Sequence, residues 1–227
     1  MKVDINIISL FPEIIWSALN YSLLGRAAKN GLVKYRVINP RDFTKNKHKQ
    51  VDDYPYGGGP GMLIMAPPVV EAVESIDNFN DDDSKLIITS AQGKRFSHEI
   101  AVELGKSKQL TFICGHYEGI DERVLNILNP EEISLGDFVT MGGEFPALVM
   151  IEAIVRLLPG IIGNIDSAEQ DSFVNGLLDF PQYTRPRKYR GFEVPEILLS
   201  GNHKKIEEWR HKNALFSTKE KRPDLIK

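Results

Sequence analysis

Five short apolar runs rich in β-branched residues recur along the first 136 residues: VDINIISL (3–10), VKYRVI (33–38), KLIITS (85–90), LTFIC (110–114) and EEISLG (131–136). Amphipathic stretches lie between them. PPVVEAVESI (67–76) opens on proline, whose fixed φ suits a first helical turn. SHEIAVEL (97–104) opens on Ser97, a predicted N-cap. FPALVMIEAIVRLL (145–158) reads as the longest apolar helix, buried on most sides. Strand-length runs alternating with helix-length ones predict an α/β fold over a largely parallel sheet, spanning residues 1 to about 160.

After LPGIIGN the texture changes. Residues 164–175 (NIDSAEQDSFVN) are small and polar, and predict an interdomain linker with a helix start at Asp171 or Ser172. Residues 176–227 hold several prolines, a basic cluster and a helical HKKIEEWRHK (203–212), and predict a small helical C-terminal domain. The charge divides at this boundary. From Pro181 to Lys227 there are 12 Lys and Arg against 6 Asp and Glu, a balance of +6, although the 227-residue chain carries −3. A basic end on an acidic body points to a polyanionic partner; the plainer reading is a solvated helical surface. A second basic patch, RDFTKNKHK, covers 41–49.

Composition closes off several classes. No run approaches the ~18 apolar residues of a membrane span, and the N-terminus reads as an immediate strand rather than a signal peptide. A single cysteine leaves no internal disulfide framework and fits a reducing cytosol, so a cytoplasmic location is expected. The five histidines show neither zinc spacing nor an HExxH pattern.

In open parallel sheets, ligands collect at the carboxyl ends of strands. Three predicted strand ends carry glycine-bearing loops: TSAQGK (89–94), CGHYEGIDER (114–123) and LGDFVTMGGEFP (135–146). Singly each is an ordinary turn; together they can surround an aromatic, hydrogen-bonding molecule such as an adenine nucleoside. A fourth loop, DDYPYGGGPGM (52–62), is almost bare of side chains. A Walker loop needs Lys and Ser or Thr after its last glycine, where Met62 and Leu63 stand. A dinucleotide fingerprint needs glycine at Met62. What remains is a flexible loop, or one cleared for the approach of something flat.

Single residues carry two readings each. Cys114 ends an apolar run and is a buried inert thiol before it is a nucleophile. Arg156 either answers the dipole at a helix end or faces an anion. Asp171 is an N-cap for SFVNGLL or a functional carboxylate, and Glu118 an ordinary surface carboxylate or a site residue.

The stretches VDDYPYGGGPGM, CGHYEGIDER, LGDFVTMGGEFPA, DSFVNGLLDFPQYTRP and LLSGNH with IEEWR closely resemble the bacterial tRNA (guanine-N1)-methyltransferase family, TrmD, of the SPOUT class. The resemblance runs collinearly over essentially the whole chain. It implies S-adenosylmethionine-dependent methylation of guanine N1 at tRNA position 37, next to the anticodon, after another guanosine. It also implies a deep trefoil knot in the parallel-sheet domain, here 1–163, ahead of a linker at 164–175 and a tRNA-binding domain at 176–227. The donor is expected among Ser90, Gln92, Gly115, Tyr117, Gly119, Leu135, Gly136, Asp137, Phe138, Val139, Thr140, Gly142, Gly143 and Pro146. The chain departs from the family pattern at Ala91, His116 and Tyr54, where the family carries proline, arginine and often arginine.

Guanine N1 is a poor nucleophile until its proton leaves. A base must face that proton, and positive charge or hydrogen-bond donors must face the neighbouring carbonyl oxygen. By resemblance Asp171 is the base and Arg156 the electrostatic partner. Glu118 helps position the base, and a magnesium ion is an admissible aid whose ligands the sequence does not name. The substrate RNA is expected at Gly59, Pro60, Gly61, Ser172, Arg185, Arg187, Lys188 and Lys204, with side chains excluded from Gly58 to Gly61 by an entering purine. The resemblance further implies a homodimer with its sites at the subunit interface. Two rivals stand beside this reading. A non-catalytic RNA-binding protein accounts for the basic end but not for four glycine-rich loops, and a phosphotransferase lacks a lysine-bearing phosphate cradle.

Overall fold

The computed structural model describes residues 2–161 and 171–226. The first part of the anticipated linker, 164–170, lies outside the described residues. The chain divides into two compact units, 1–163 and 164–227.

The first unit is built on β1 (Val3–Ile8), β2 (Val33–Ile38), β5 (Ser84–Arg95), β6 (Gln109–Ile113) and β7 (Glu131–Ser134). They form one sheet in the order β2-β1-β6-β5-β7, and every pairing in it is parallel. Side chains alternate across a strand, so β6 sends Leu110 and Phe112 to one core, joined by Cys114 just beyond the strand, and Ile113 to the other. On the first face pack α1 (Pro12–Leu19), α2 (Ser22–Lys29), α4 (His98–Leu104) and α6 (Glu144–Val155). On the second pack α3 (Ala66–Glu74) and α5 (Arg123–Leu128). The Ser97 side chain caps α4 by accepting from the Ile100 amide at 3.4 Å. Burial of α6 follows its sequence, with Ala147, Met150, Ile151, Ile154 and Val155 all inaccessible to solvent.

The glycine run is the tip of a hairpin. Asp52–Asp53 (β3) pairs antiparallel with Leu63–Ile64 (β4), and Asp53 Oδ1 accepts from the Tyr54 amide at 2.8 Å. The paired aspartates are thus the stem of the loop.

The second unit holds a helix, α7 (His203–Lys221), capped by the Asn202 side chain, which accepts from the Lys205 amide. It also holds an antiparallel ribbon of β8 (Lys188–Tyr189) and β9 (Phe192–Glu193). The helical stretch was legible; the ribbon is an addition to the helical domain that composition predicts. No helix begins at Asp171 or Ser172. Residues 172–175 form turns, because Phe173 takes φ +79° and the Ser172 hydroxyl accepts from the distant Asp179 amide at 2.9 Å. The N-cap reading of Asp171 is corrected accordingly.

Candidate active site

A cleft of about 360 Å³ opens at the middle of β5 and at the carboxyl ends of β6 and β7. Its first wall is an interruption within β5. Ile87–Thr89 pair with Glu131–Ile133, the register then shifts, and pairing resumes at Lys94. The intervening residues leave the ladder, and Ser90, Ala91 and Gln92 line the cleft. Gly93 permits this, because a Cβ there would lie 2.5 Å from the Glu132 oxygen and the Ile133 nitrogen.

The second wall is the turn after β6, where Tyr117 takes φ +60°. A non-glycine residue in that region stores strain that its surroundings must hold. The glycine hairpin is fastened to this wall. The Glu118 amide donates to the Met62 oxygen at 3.1 Å, the Ile64 amide to the Gly119 oxygen at 3.0 Å, and the Asp121 amide to the Ile64 oxygen at 2.9 Å. The third wall comes from the loop after β7 and the start of α6, tied in by the Gly143 amide donating to the Gly115 oxygen at 2.8 Å.

All the residues expected around the donor line this cleft except Gly136 and Asp137. Gly136 turns the chain behind the wall, bonded to the Ser134 hydroxyl, and Asp137 points outward toward Arg95, at 3.7 Å. Glu118 lines the cleft; Arg156 does not. Arg156 is the C-cap of α6, and Asp171 belongs to the second unit. The predicted catalytic residues are therefore not gathered in the cleft of one chain's first unit.

The glycines have causes the sequence did not reveal. A Cβ on Gly143 would lie 2.8 Å from Cys114 Cα and the Gly115 nitrogen, so this glycine admits the protein's own backbone. Gly57, Gly58, Gly59 and Gly61 all have positive φ, which the hairpin tip requires. A Cβ on Gly61 would meet Glu118 Oε1 at 2.6 Å, whereas one on Gly58 would meet nothing within 4 Å.

The charge of the cleft is one-sided. Glu118, Glu122 and Glu132 line it, and among the described residues no lysine or arginine does. Such a surface suits a cationic ligand and disfavours a polyphosphate.

The family model for tRNA (Guanine-1)-methyltransferase TrmD matches residues 1–227. The chain belongs to this family. It is similar to a Staphylococcus epidermidis protein named tRNA (guanine-N(1)-)-methyltransferase, 52% identical over 226 residues, which cover 100% of this chain and 91% of that protein. A Staphylococcus aureus (strain JH9) protein of the same name is 51% identical with the same coverage.

In this TrmD-family chain one arrangement at the cleft escaped sequence reasoning. The Ser9 hydroxyl donates to Glu144 Oε1 at 2.6 Å, and Glu144 Oε2 lies 2.8 Å from His116 Nε2. Ser9 and Glu144 are buried, and the Phe11 ring packs on the His116 ring at 4.6 Å. A carboxylate at the first position of a largely apolar helix was the available signal. Nearby, burial pushes the Cys114 thiol well up, with the charge of Glu144 adding to the effect, so the buried inert reading of that cysteine stands.

On the second unit, Arg185, Arg187, Lys188 and Lys204 are exposed. Lys188 is already paired with Glu193 at 2.7 Å, and Arg187 lies 3.9 Å from Glu196.

Proposed function

We propose that this chain methylates N1 of guanine at tRNA position 37, using S-adenosylmethionine. The observation that carries the reading is the carboxylate-lined cleft at the strand ends of a TrmD-family chain. The donor supplies an electrophilic methyl on a sulfonium, and carries an ammonium as well. Glu118, Glu122 and Glu132 complement those positive groups, while Ile88, Ile120 and Leu135 offer apolar surface to a purine ring. The phosphotransferase alternative is disfavoured, since its ligand would bring phosphates to carboxylates.

In this reading Asp171 takes the N1 proton. Arg156 faces the negative charge that grows on the guanine carbonyl oxygen. Glu118, wedged between the glycine hairpin and the cleft, holds the two partners in line. Among the described residues no group of three His, Cys, Asp or Glu is placed to hold a metal; a magnesium ion stays an admissible aid in this reading, held by few protein ligands together with water and substrate oxygens.

The site is composite in this proposal. Gly143 and Arg156 stand at opposite ends of α6, about 20 Å apart at 1.5 Å rise per residue. Arg156 therefore acts in the cleft of a second copy, together with Asp171. Phe138, Val139 and Met141 of the cleft lining, with Phe145 and Val149 of α6, are exposed apolar side chains, Val139 at 87% and Met141 at 95%. Clusters of this kind mark interfaces, and here the partner is a second copy. The trefoil knot belongs to the same proposal, supported by the close passage of the Gly143 and Cys114–Gly115 backbones. So does a cytoplasmic location, where the tRNA is; among the described residues no helix is long and apolar enough to cross a membrane.

Tritiated donor and unmodified tRNA transcripts test the proposal. Transfer is expected to a transcript with guanosines at 36 and 37, and not to one with adenosine at 37. RNA binding without transfer would favour the non-catalytic rival.

A further inference from the structure

The ribbon of the second unit has two unlike faces. Lys188 pairs with Glu193, and Tyr189 pairs directly with Phe192. Residues opposite each other across an antiparallel pair project to the same side, and successive residues to opposite sides. One face therefore carries the Lys188–Glu193 ion pair, and the other carries two aromatic rings. Those rings are open to solvent, Tyr189 at 61% and Phe192 at 82%.

The turn joining the strands is equally particular. Arg190 takes φ +47° and Gly191 φ +88°, the two-residue hairpin turn that normally holds Asn-Gly or Asp-Gly. A long side chain in the left-handed region costs about 1–2 kcal/mol. Its guanidinium lies 5.3 Å from the centre of the Tyr189 ring. The strained residue thus adds a planar cation to the aromatic face.

We infer that this face of the ribbon stacks an unpaired nucleobase of the tRNA, with Tyr189 and Phe192 as the platform and Arg190 beside it. The inference rests on the proposed tRNA substrate. Bases within a duplex are stacked on one another, so a side-chain platform takes one from a loop, bulge or end. The charge of the surroundings favours nucleic acid over an apolar protein partner, with Arg190 at the Tyr189 ring, Arg185 and Arg187 exposed on the chain leading into the ribbon, and +6 over residues 181–227.

The test compares binding of an unmodified tRNA transcript by the wild-type chain, by a Tyr189→Ala/Phe192→Ala variant and by a Tyr189→Leu/Phe192→Leu variant, each across a series of salt concentrations. Stacking predicts that the alanine pair weakens binding by about 5- to 100-fold at every salt concentration. The slope of log K against log salt stays unchanged, because no phosphate contact is lost. The leucine pair is expected to remain weak, since it is apolar but not planar, and Tyr189→Trp is expected to bind as well as wild type. Equal affinity of wild type and the alanine pair overturns the inference while leaving the tRNA reading intact. Recovery by leucine, or a change in sedimentation coefficient without RNA, overturns it in favour of a protein contact. A wild-type chain that binds no tRNA overturns both.

Discussion

His116 Nε2 lies 2.8 Å from Glu144 Oε2 across the join between two walls of the cleft. Glu144 is 2% exposed and its other oxygen is held by Ser9. A buried carboxylate that loses a partner keeps its desolvation cost. His116→Ala is therefore expected to destabilise the protein by about 1–3 kcal/mol and to weaken donor binding several-fold by loosening the wall. Thermal unfolding and calorimetric titration with S-adenosylmethionine measure the two effects. Unchanged melting together with unchanged donor affinity would show that the contact organises nothing.

Asp171→Asn is a cleaner test now that no helix begins at this residue. The variant keeps the shape of the side chain but cannot take a proton. Single-turnover methylation is expected to fall by roughly 10²–10⁴, with donor and tRNA affinities within a few-fold of wild type. Survival of the rate would remove Asp171 as the base.

The composite site predicts rescue between two inactive variants. Gly143→Val is a poor choice for the donor lesion, because the new side chain would force the Cys114 and Gly115 backbone apart. Ser90→Arg is better, placing bulk and positive charge from the β5 interruption into the cleft. A doubly tagged dimer of one Ser90→Arg and one Asp171→Asn subunit carries both lesions in one site and neither in the other. It is expected to recover up to about half the wild-type activity per dimer. Activity no higher than either parent would place the whole site within one subunit.

Burial and the Glu144 charge both hold the Cys114 thiol well above its ordinary range. The reactive thiolate is therefore scarce in the folded protein at pH 7 to 9. Iodoacetamide is expected to label Cys114 slowly over that range and rapidly once denaturant is added. Fast labelling of the native protein would contradict the buried placement.

What could be read from the sequence was what is decided locally. Ser97 caps α4 because its own hydroxyl reaches three residues ahead, and VKYRVI is a strand over the whole of its predicted span. The residues of the cleft walls were named through the family resemblance. The reasons for them were not legible, because they lie in distant partners. The β5 interruption exists only against β7. Gly61 answers to Glu118, and Ser9 to Glu144, 135 residues away. Arg190 reads as one more cation until its φ and its place over Tyr189 are known.

The position of β1 in the sheet has a consequence for synthesis. It lies between β2 and β6, and Ile8, near the amino terminus, pairs with Ile113. The central ladder cannot close until more than a hundred residues have left the ribosome, and the cleft must wait further for Gly142 and Gly143. At 5–20 residues per second that delay is roughly 7–30 s. Throughout it, one edge of the nascent β1–β2 pair stands open, and whatever shelters that edge during translation protects the enzyme before it has a site.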